Sequence, residues 1–220
     1  MRSQQGSTSS TTEGNADAAL RTLSAEGLDS HRQIRRDHRT RAIYRVARFR
    51  LGDDEGLARI RNISDHGVGL TLNLPVAVGD VLAVDFDEEL TVECEIVWVG
   101  EGTCGTSFAQ AIDSAALLTE IADNTNAGLS RPLRLEIHSI VTIESELGLR
   151  VAHARNISQW GMRLHHQGIF PEGMELKVRM SNGLKKRGIV RWARTGCCGI
   201  KLLEPVSVEF LVSRKKLDMG

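Results

Sequence analysis

Eight arginines, Arg32, Arg35, Arg36, Arg39, Arg41, Arg45, Arg48 and Arg50, crowd into residues 31–50, opposed in that stretch only by Asp37. A guanidinium is a planar fork, suited to phosphate oxygens or to guanine O6 and N7. Its flat face can also stack on a purine. The same cluster would equally serve as a solvated basic flank or a general nucleic-acid arm. Further along stands Asn62-Ile63-Ser64-Asp65-His66-Gly67. Side chains two apart on an extended strand share a face, so Asn62 and Ser64 offer an amide and a hydroxyl side by side. Gly67 permits a tight turn or a close backbone approach. Alone, this hexapeptide also reads as a polar strand end followed by a turn glycine.

Other chemistry finds little support. Cys94, Cys104, Cys197 and Cys198 include no CxxC pair and no nearby His-x-x-x-His, which argues against zinc. They read as reduced, partly buried thiols. His165 and His166 alternate across a strand, cannot converge on one metal, and are expected at the surface. Asp53, Asp54, Glu144 and Glu146 fall in expected hairpin turns, where solvation is the usual reason for an acid. Gly67-Val68-Gly69 lacks the third glycine and following helix of a dinucleotide fingerprint. No Walker loop, nucleophile elbow or metalloprotease helix occurs. No catalytic residue, metal or cofactor is expected, and the chain is not read as an enzyme.

The elements that must position these residues follow from composition and pattern. The chain has 220 residues, 28 basic and 28 acidic, with 41% hydrophobic and 4% aromatic side chains. That length suits two domains of about 100 residues. Scarce aromatics argue against a stacking surface for single strands, and zero net charge against a protein basic throughout. No apolar run approaches the roughly 18 to 20 residues of a membrane helix, and the N-terminus lacks the regions of a secretory signal. A cytoplasmic protein without membrane insertion is expected.

Residues 1–30 begin rich in Ser, Thr, Gly and Gln and read as a disordered tail, with a short amphipathic helix permitted from Ala16 to Leu28. From Tyr44 the text becomes strand-like. Ala58–Ile63, Val68–Leu72, Val81–Phe86 and Leu90–Val99 are β-branched runs separated by Gly and Asp, the pattern of an all-β sheet or barrel. Asp113 predicts an N-cap for a helix from Ala115 to Ala122, and Asp123–Gly128 reads as a linker. A last helix is predicted from Val206 to Leu217, burying Phe210 and Leu211.

The same grammar runs twice. Setting residues 59–108 against 153–202 without gaps gives fourteen identities in fifty positions, where composition alone predicts roughly three. They include Arg61/Arg155, Asn62/Asn156, Ser64/Ser158, Gly67/Gly161, Trp98/Trp192, Cys104/Cys198 and Gly105/Gly199. This is a tandem duplication, and it predicts a shared packing role for Cys104 and Cys198.

Together the arginines and the hexapeptide resemble the PilZ family of cyclic di-GMP receptors, which pairs an RxxxR motif with a (D/N)xSxxG motif. Arg35 and Arg39 occupy the first and Asn62, Ser64 and Gly67 the second, with 22 residues between Arg39 and Asn62. Arg32 and Arg36 also satisfy RxxxR, and Arg41 could contribute. The resemblance implies two tandem six-stranded antiparallel barrels, each followed by a short helix. The implied domains are 31–123 and 129–220, joined by a linker at 124–128. It further implies that Arg35 and Arg39, assisted by Arg36, grip the guanines and phosphates. Asn62 and Ser64 would hydrogen-bond the ligand, and Gly67 would leave it space. Binding would then reorder the arm and the interface between domains.

The second copy keeps Asn156, Ser158 and Gly161 but has Leu129, Ser130 and Leu133 at the equivalents of Arg35, Arg36 and Arg39. Without paired forks it is expected to scaffold, to form a homo-oligomer or to hold a protein partner. Two rivals remain: an adaptor that binds only protein, and an arginine arm for nucleic acid. Nucleic acid is the less expected partner.

Overall fold

The computed structural model describes residues 45–88, 90–128 and 131–218. The tail and the arm before residue 45, with Arg35, Arg36 and Arg39, lie outside the described residues.

Among the described residues twelve strands close into two six-stranded antiparallel barrels within one compact unit. The first uses β1 Arg45–Leu51, β2 Asp54–Ser64, β3 Gly67–Thr71, β4 Val81–Asp85, β5 Thr91–Gly100 and β6 Thr103–Phe108. The second uses β7 Leu135–Ser145, β8 Gly148–Ile157, β9 Gly161–His165, β10 Glu175–Met180, β11 Lys185–Arg194 and β12 Cys197–Leu202. Around the first barrel the order is β1-β2-β3-β6-β5-β4, and around the second β7-β8-β9-β12-β11-β10. The two topologies are the same, as a duplication requires. Closure removes the free sheet edges through which open sheets pair with other chains.

Alternation along the strands fills each interior. Ala47, Phe49, Ile60, Leu70, Leu82 and Ile96 are buried in the first barrel, and Leu135, Ile143, Leu164, Val178 and Ile200 in the second. Cys104 and Cys198 are both fully buried, as the repeat predicts, and burial pushes each thiol up to about 11. Both remain protonated and apolar at neutral pH.

Three expectations need correction. The first helix runs Ser114–Asn126, so it consumes most of the expected linker. Asp113 caps it as predicted, accepting from the Ala116 amide at 2.8 Å. No glycine or proline interrupts residues 114–127, and Arg45 donates to the Ile121 carbonyl and the Thr125 hydroxyl near the helix's end. The C-terminal helix is only Arg214–Asp218. Residues 206–213 instead serve tertiary packing: Val206, Val208 and Leu211 join the second core, while Val212 joins the first. The Leu57 amide donates to the Leu211 carbonyl at 2.8 Å, and Leu57 itself belongs to the second core. The barrels therefore exchange apolar side chains. Finally, Asp53 and Asp54 are not merely solvated turn acids. Asp54 accepts from Ser213 Oγ at 2.6 Å and from the Lys215 amide at 3.1 Å, and Asp53 pairs with the Lys215 ammonium.

Candidate functional site

β2 and β3 are joined by the turn that carries the hexapeptide. Ser64 Oγ lies 3.3 Å from the Gly67 carbonyl and 3.4 Å from the His66 amide, so the hydroxyl closes its own turn. A Cβ on Gly67 would sit 2.0 Å from the Thr106 carbonyl oxygen of β6. The room expected there for a ligand is thus taken by the chain itself, and Gly67 is a packing glycine. The second copy repeats the turn: Ser158 Oγ lies 3.3 Å from the Gly161 carbonyl and 3.3 Å from the Trp160 amide.

Asn62 behaves differently. A β-bulge between Ile60 and Asn62 sets Asn62 opposite Gly69. Its amide lies on that glycine, with Oδ1 2.8 Å from where a Cβ would stand. Gly69 pairs with Gly105 on β6, and Gly105 with Trp98 on β5. The Trp98 indole lies flat on Gly105, its Nε1 1.9 Å from the missing Cβ. Four strands thus present one row, Asn62–Gly69–Gly105–Trp98, in which two adjacent glycines form a bed for a carboxamide and an indole. Both side chains keep an outward surface, Trp98 at 38% exposure. The Asn62 amide has no hydrogen-bond partner among the described residues. A flat polar-aromatic platform of this kind can stack a planar base and bond its edge.

The second barrel closes the same platform. The row reads Asn156–Arg163–Gly199–Trp192, with an arginine where the first barrel has Gly69. Asn156 is buried and its Oδ1 accepts from Arg134 at 3.2 Å. Arg194 stacks 5.8 Å from the Trp192 ring, at the position equivalent to Gly100. Trp98 and Gly69 were not singled out as site residues in the sequence. The signal available was the pairing of Gly69 with Arg163 in the repeat.

The structure also divides the arginine cluster. Arg48 Nε and Arg50 Nη1 lie 2.6 and 3.0 Å from the buried carboxylate of Asp85, which also accepts from Thr91. Arg45 is spent on the helix end, where burial lowers its pKa and Asp87 partly opposes that shift. Those three are structural. Arg48 additionally donates to the Arg134 carbonyl, tying β1 to the second barrel. Beside these contacts, a cleft of about 580 Å³ lies between the barrels, lined by Arg45, Phe86, Glu120, Arg131 and Gln159 among others.

His165 and His166 face opposite ways as expected, but only His165 is at the surface. His166 is buried against Phe170, with ring centroids 4.4 Å apart, because its repeat equivalent is the core residue Leu72. Among the described residues no group of three His, Cys, Asp or Glu is placed to hold a metal, and no helix is long and apolar enough to cross a membrane.

A model of the PilZ domain matches residues 33–123, the stretch that holds the arginine arm, the first barrel and the Asn62–Trp98 row. Residues 33–123 are a PilZ domain. No curated protein matches the chain. Among solved structures, this double barrel is similar to the Borreliella burgdorferi PlzA protein in complex with c-di-GMP, at 10% identity over 80% of this chain and 88% of that one, with a TM-score of 0.40. It is similar to the Bacillus subtilis inhibitor of motility MotI/DgrA at 10% identity, over 77% and 93% of the chains, with a TM-score of 0.32. A third is Escherichia coli YcgR in complex with c-di-GMP, at 11% identity over 72% and 75%, with a TM-score of 0.29.

Proposed function

We propose that this chain is a non-enzymatic cyclic di-GMP receptor whose PilZ domain binds the nucleotide. One observation carries the reading: within the PilZ match the Asn62 amide and the Trp98 indole stay accessible, whereas in the duplicated barrel Asn156 is buried and bonded by Arg134 and Arg194 lies over Trp192. In this reading Trp98 offers a stacking face to a guanine and Asn62 bonds its edge or a phosphate. Ser64, occupied by its turn, adds one remaining acceptor. Arg35 and Arg39, with Arg36 beside them, supply forks to the phosphodiester oxygens and the second base. Gly67 acts by bringing β3 against β6 rather than by yielding space.

The arm runs into β1, whose Arg45 and Arg48 bond the helix end and the second barrel. Ordering the arm on a ligand would therefore bear on the inter-barrel contacts, and the second barrel would serve as scaffold or partner surface.

Calorimetry with cyclic di-GMP tests this. Binding by the whole chain is expected, with loss of the signal in Arg35→Ala/Arg39→Ala. Gly69→Arg, which copies the second barrel into the first, should weaken binding by at least tenfold while the fold persists by circular dichroism. Absence of binding by the unaltered protein would leave the protein-only adaptor as the better reading, consistent with a serine turn that is identical in both copies.

A further inference from the structure

Zero net charge hides a division between the barrels. Residues 45–128 hold 5 basic and 15 acidic side chains, net −10, while residues 131–218 hold 16 and 8, net +8. The contrast is sharpest in one duplicated hairpin. Residues 91–109, which span β5 and β6, contain three acids and no base. Their equivalents 185–203, spanning β11 and β12, contain six bases and no acid.

Five of these cations share a surface with Arg163 of β9, while Lys186 pairs with Glu204. Lys185, Arg187, Arg191 and Arg194 on β11, Lys201 on β12 and Arg163 on β9 are all exposed, and the three strands are consecutive neighbours around the barrel. Arg187 pairs with Glu175 at 3.2 Å, and Arg194 lies on Trp192. Lys185, Arg191, Lys201 and Arg163 have no hydrogen-bond or ion-pair partner among the described residues. Like charges gathered this way repel one another and cost stability. The duplicate hairpin shows that the fold does not require them, so an external anion is the natural counterpart.

We infer that the β9–β12–β11 face of the second barrel binds the phosphodiester backbone of duplex nucleic acid. From Lys185 to Arg194 an extended strand covers about 30 Å, close to one turn of B-form duplex. Four of the six cations are arginines, whose forks match phosphate oxygens. Trp192 lies flat between Gly199 and Arg194, so no large apolar side chain projects among the cations, and the exposed Leu203 and Trp160 stand only at the strand ends. The acidic first barrel repels the duplex and directs it to this side. The contacts are to the phosphodiester backbone and are independent of base sequence. The surface is separate from the nucleotide platform and does not depend on it.

Fluorescence anisotropy of the full chain with a labelled 30-base-pair duplex tests it at 50 and 200 mM salt. Neutralising about four phosphates predicts an affinity loss on the order of 100-fold across that range. Arg163→Glu/Arg191→Glu should weaken binding more than tenfold at low salt, and Arg163→Gln/Arg191→Gln provides a milder pair should the reversal not fold. Lys177→Glu/Arg179→Glu carries the same charge change at residues facing Glu144 and should cost less than threefold. No binding by the unaltered chain at 50 mM salt overturns the inference, as do equal losses in both reversal variants. So does salt-sensitive self-association that Arg163→Glu/Arg191→Glu abolishes, since that would make a second copy's acidic barrel the partner.

Discussion

The two barrels share topology, a serine-closed turn, a buried cysteine and a tryptophan laid on glycine, yet they present different surfaces. The first has Asn62 and Trp98 resting on two adjacent glycines, an indole with no cation over it and an acidic exterior. The second has an exposed Arg163 in place of Gly69, Arg194 on the indole and a basic exterior. Interior positions answer to packing, where the loss or addition of a methylene is felt at once. Exterior positions on a closed barrel answer only to what docks there, so duplication frees one copy to change its partner while the core stays put.

The two barrels differ most sharply at the turn glycines. A Cβ at Gly67 meets a backbone carbonyl oxygen at 2.0 Å, whereas one at Gly161 meets its counterpart at 2.9 Å. Gly67→Ala should cost about 3 kcal/mol or more and Gly161→Ala about 1 kcal/mol, read by urea melts. Equal costs would mean that the two turns are packed alike.

A smaller effect separates Asp85 from its repeat equivalent Arg179. Asp85 is 1% exposed and holds two arginines and a threonine, while Arg179 is exposed and reaches Glu144 only at 4.0 Å. Asp85→Ala should destabilise by about 2 to 3 kcal/mol, discounted for the partial exposure of its arginines, and Arg179→Ala by less than about 0.5 kcal/mol. A stable Asp85→Ala protein would show that the arginines at 48 and 50 find water at little cost.

The smallest effect concerns His166, where the first barrel has Leu72. Burial lowers its pKa in the fold. The unfolded chain then binds the proton more readily, so stability falls as pH drops below the ordinary histidine value of about 6.5 and levels off below the folded value. His166→Leu should flatten that acid decline, followed as Tm between pH 7 and pH 5. An unchanged slope would assign the decline to carboxylates.

Much of this was legible in the residues. The 94-residue repeat, the β-branched runs and the turn glycines foretell two all-β units, and the identity of position 104 with 198 foretells two core thiols. The helix ends were not legible, because Arg45 from β1 extends one helix and the exchange of Leu57 for Val212 between barrels shortens the other. His166 was misplaced at the surface for a related reason: alternation says that one of two neighbouring histidines points inward but not which. At the site, Asn62, Ser64 and Gly67 are adjacent in sequence and were found together. Gly69, Gly105 and Trp98 join Asn62 only through strand pairing, and their significance lies in that row.

Composition, periodicity and duplication are enough to set the fold class and the local turn chemistry, since these depend on neighbours along the chain. Strand packing settles which of the arginines are spent on Asp85 and on a helix end, that Gly67 packs against Thr106, and that the charges of two like barrels are opposite on matching faces. Those outcomes depend on which strands lie side by side, and closure of a barrel brings together residues that no spacing along the chain connects.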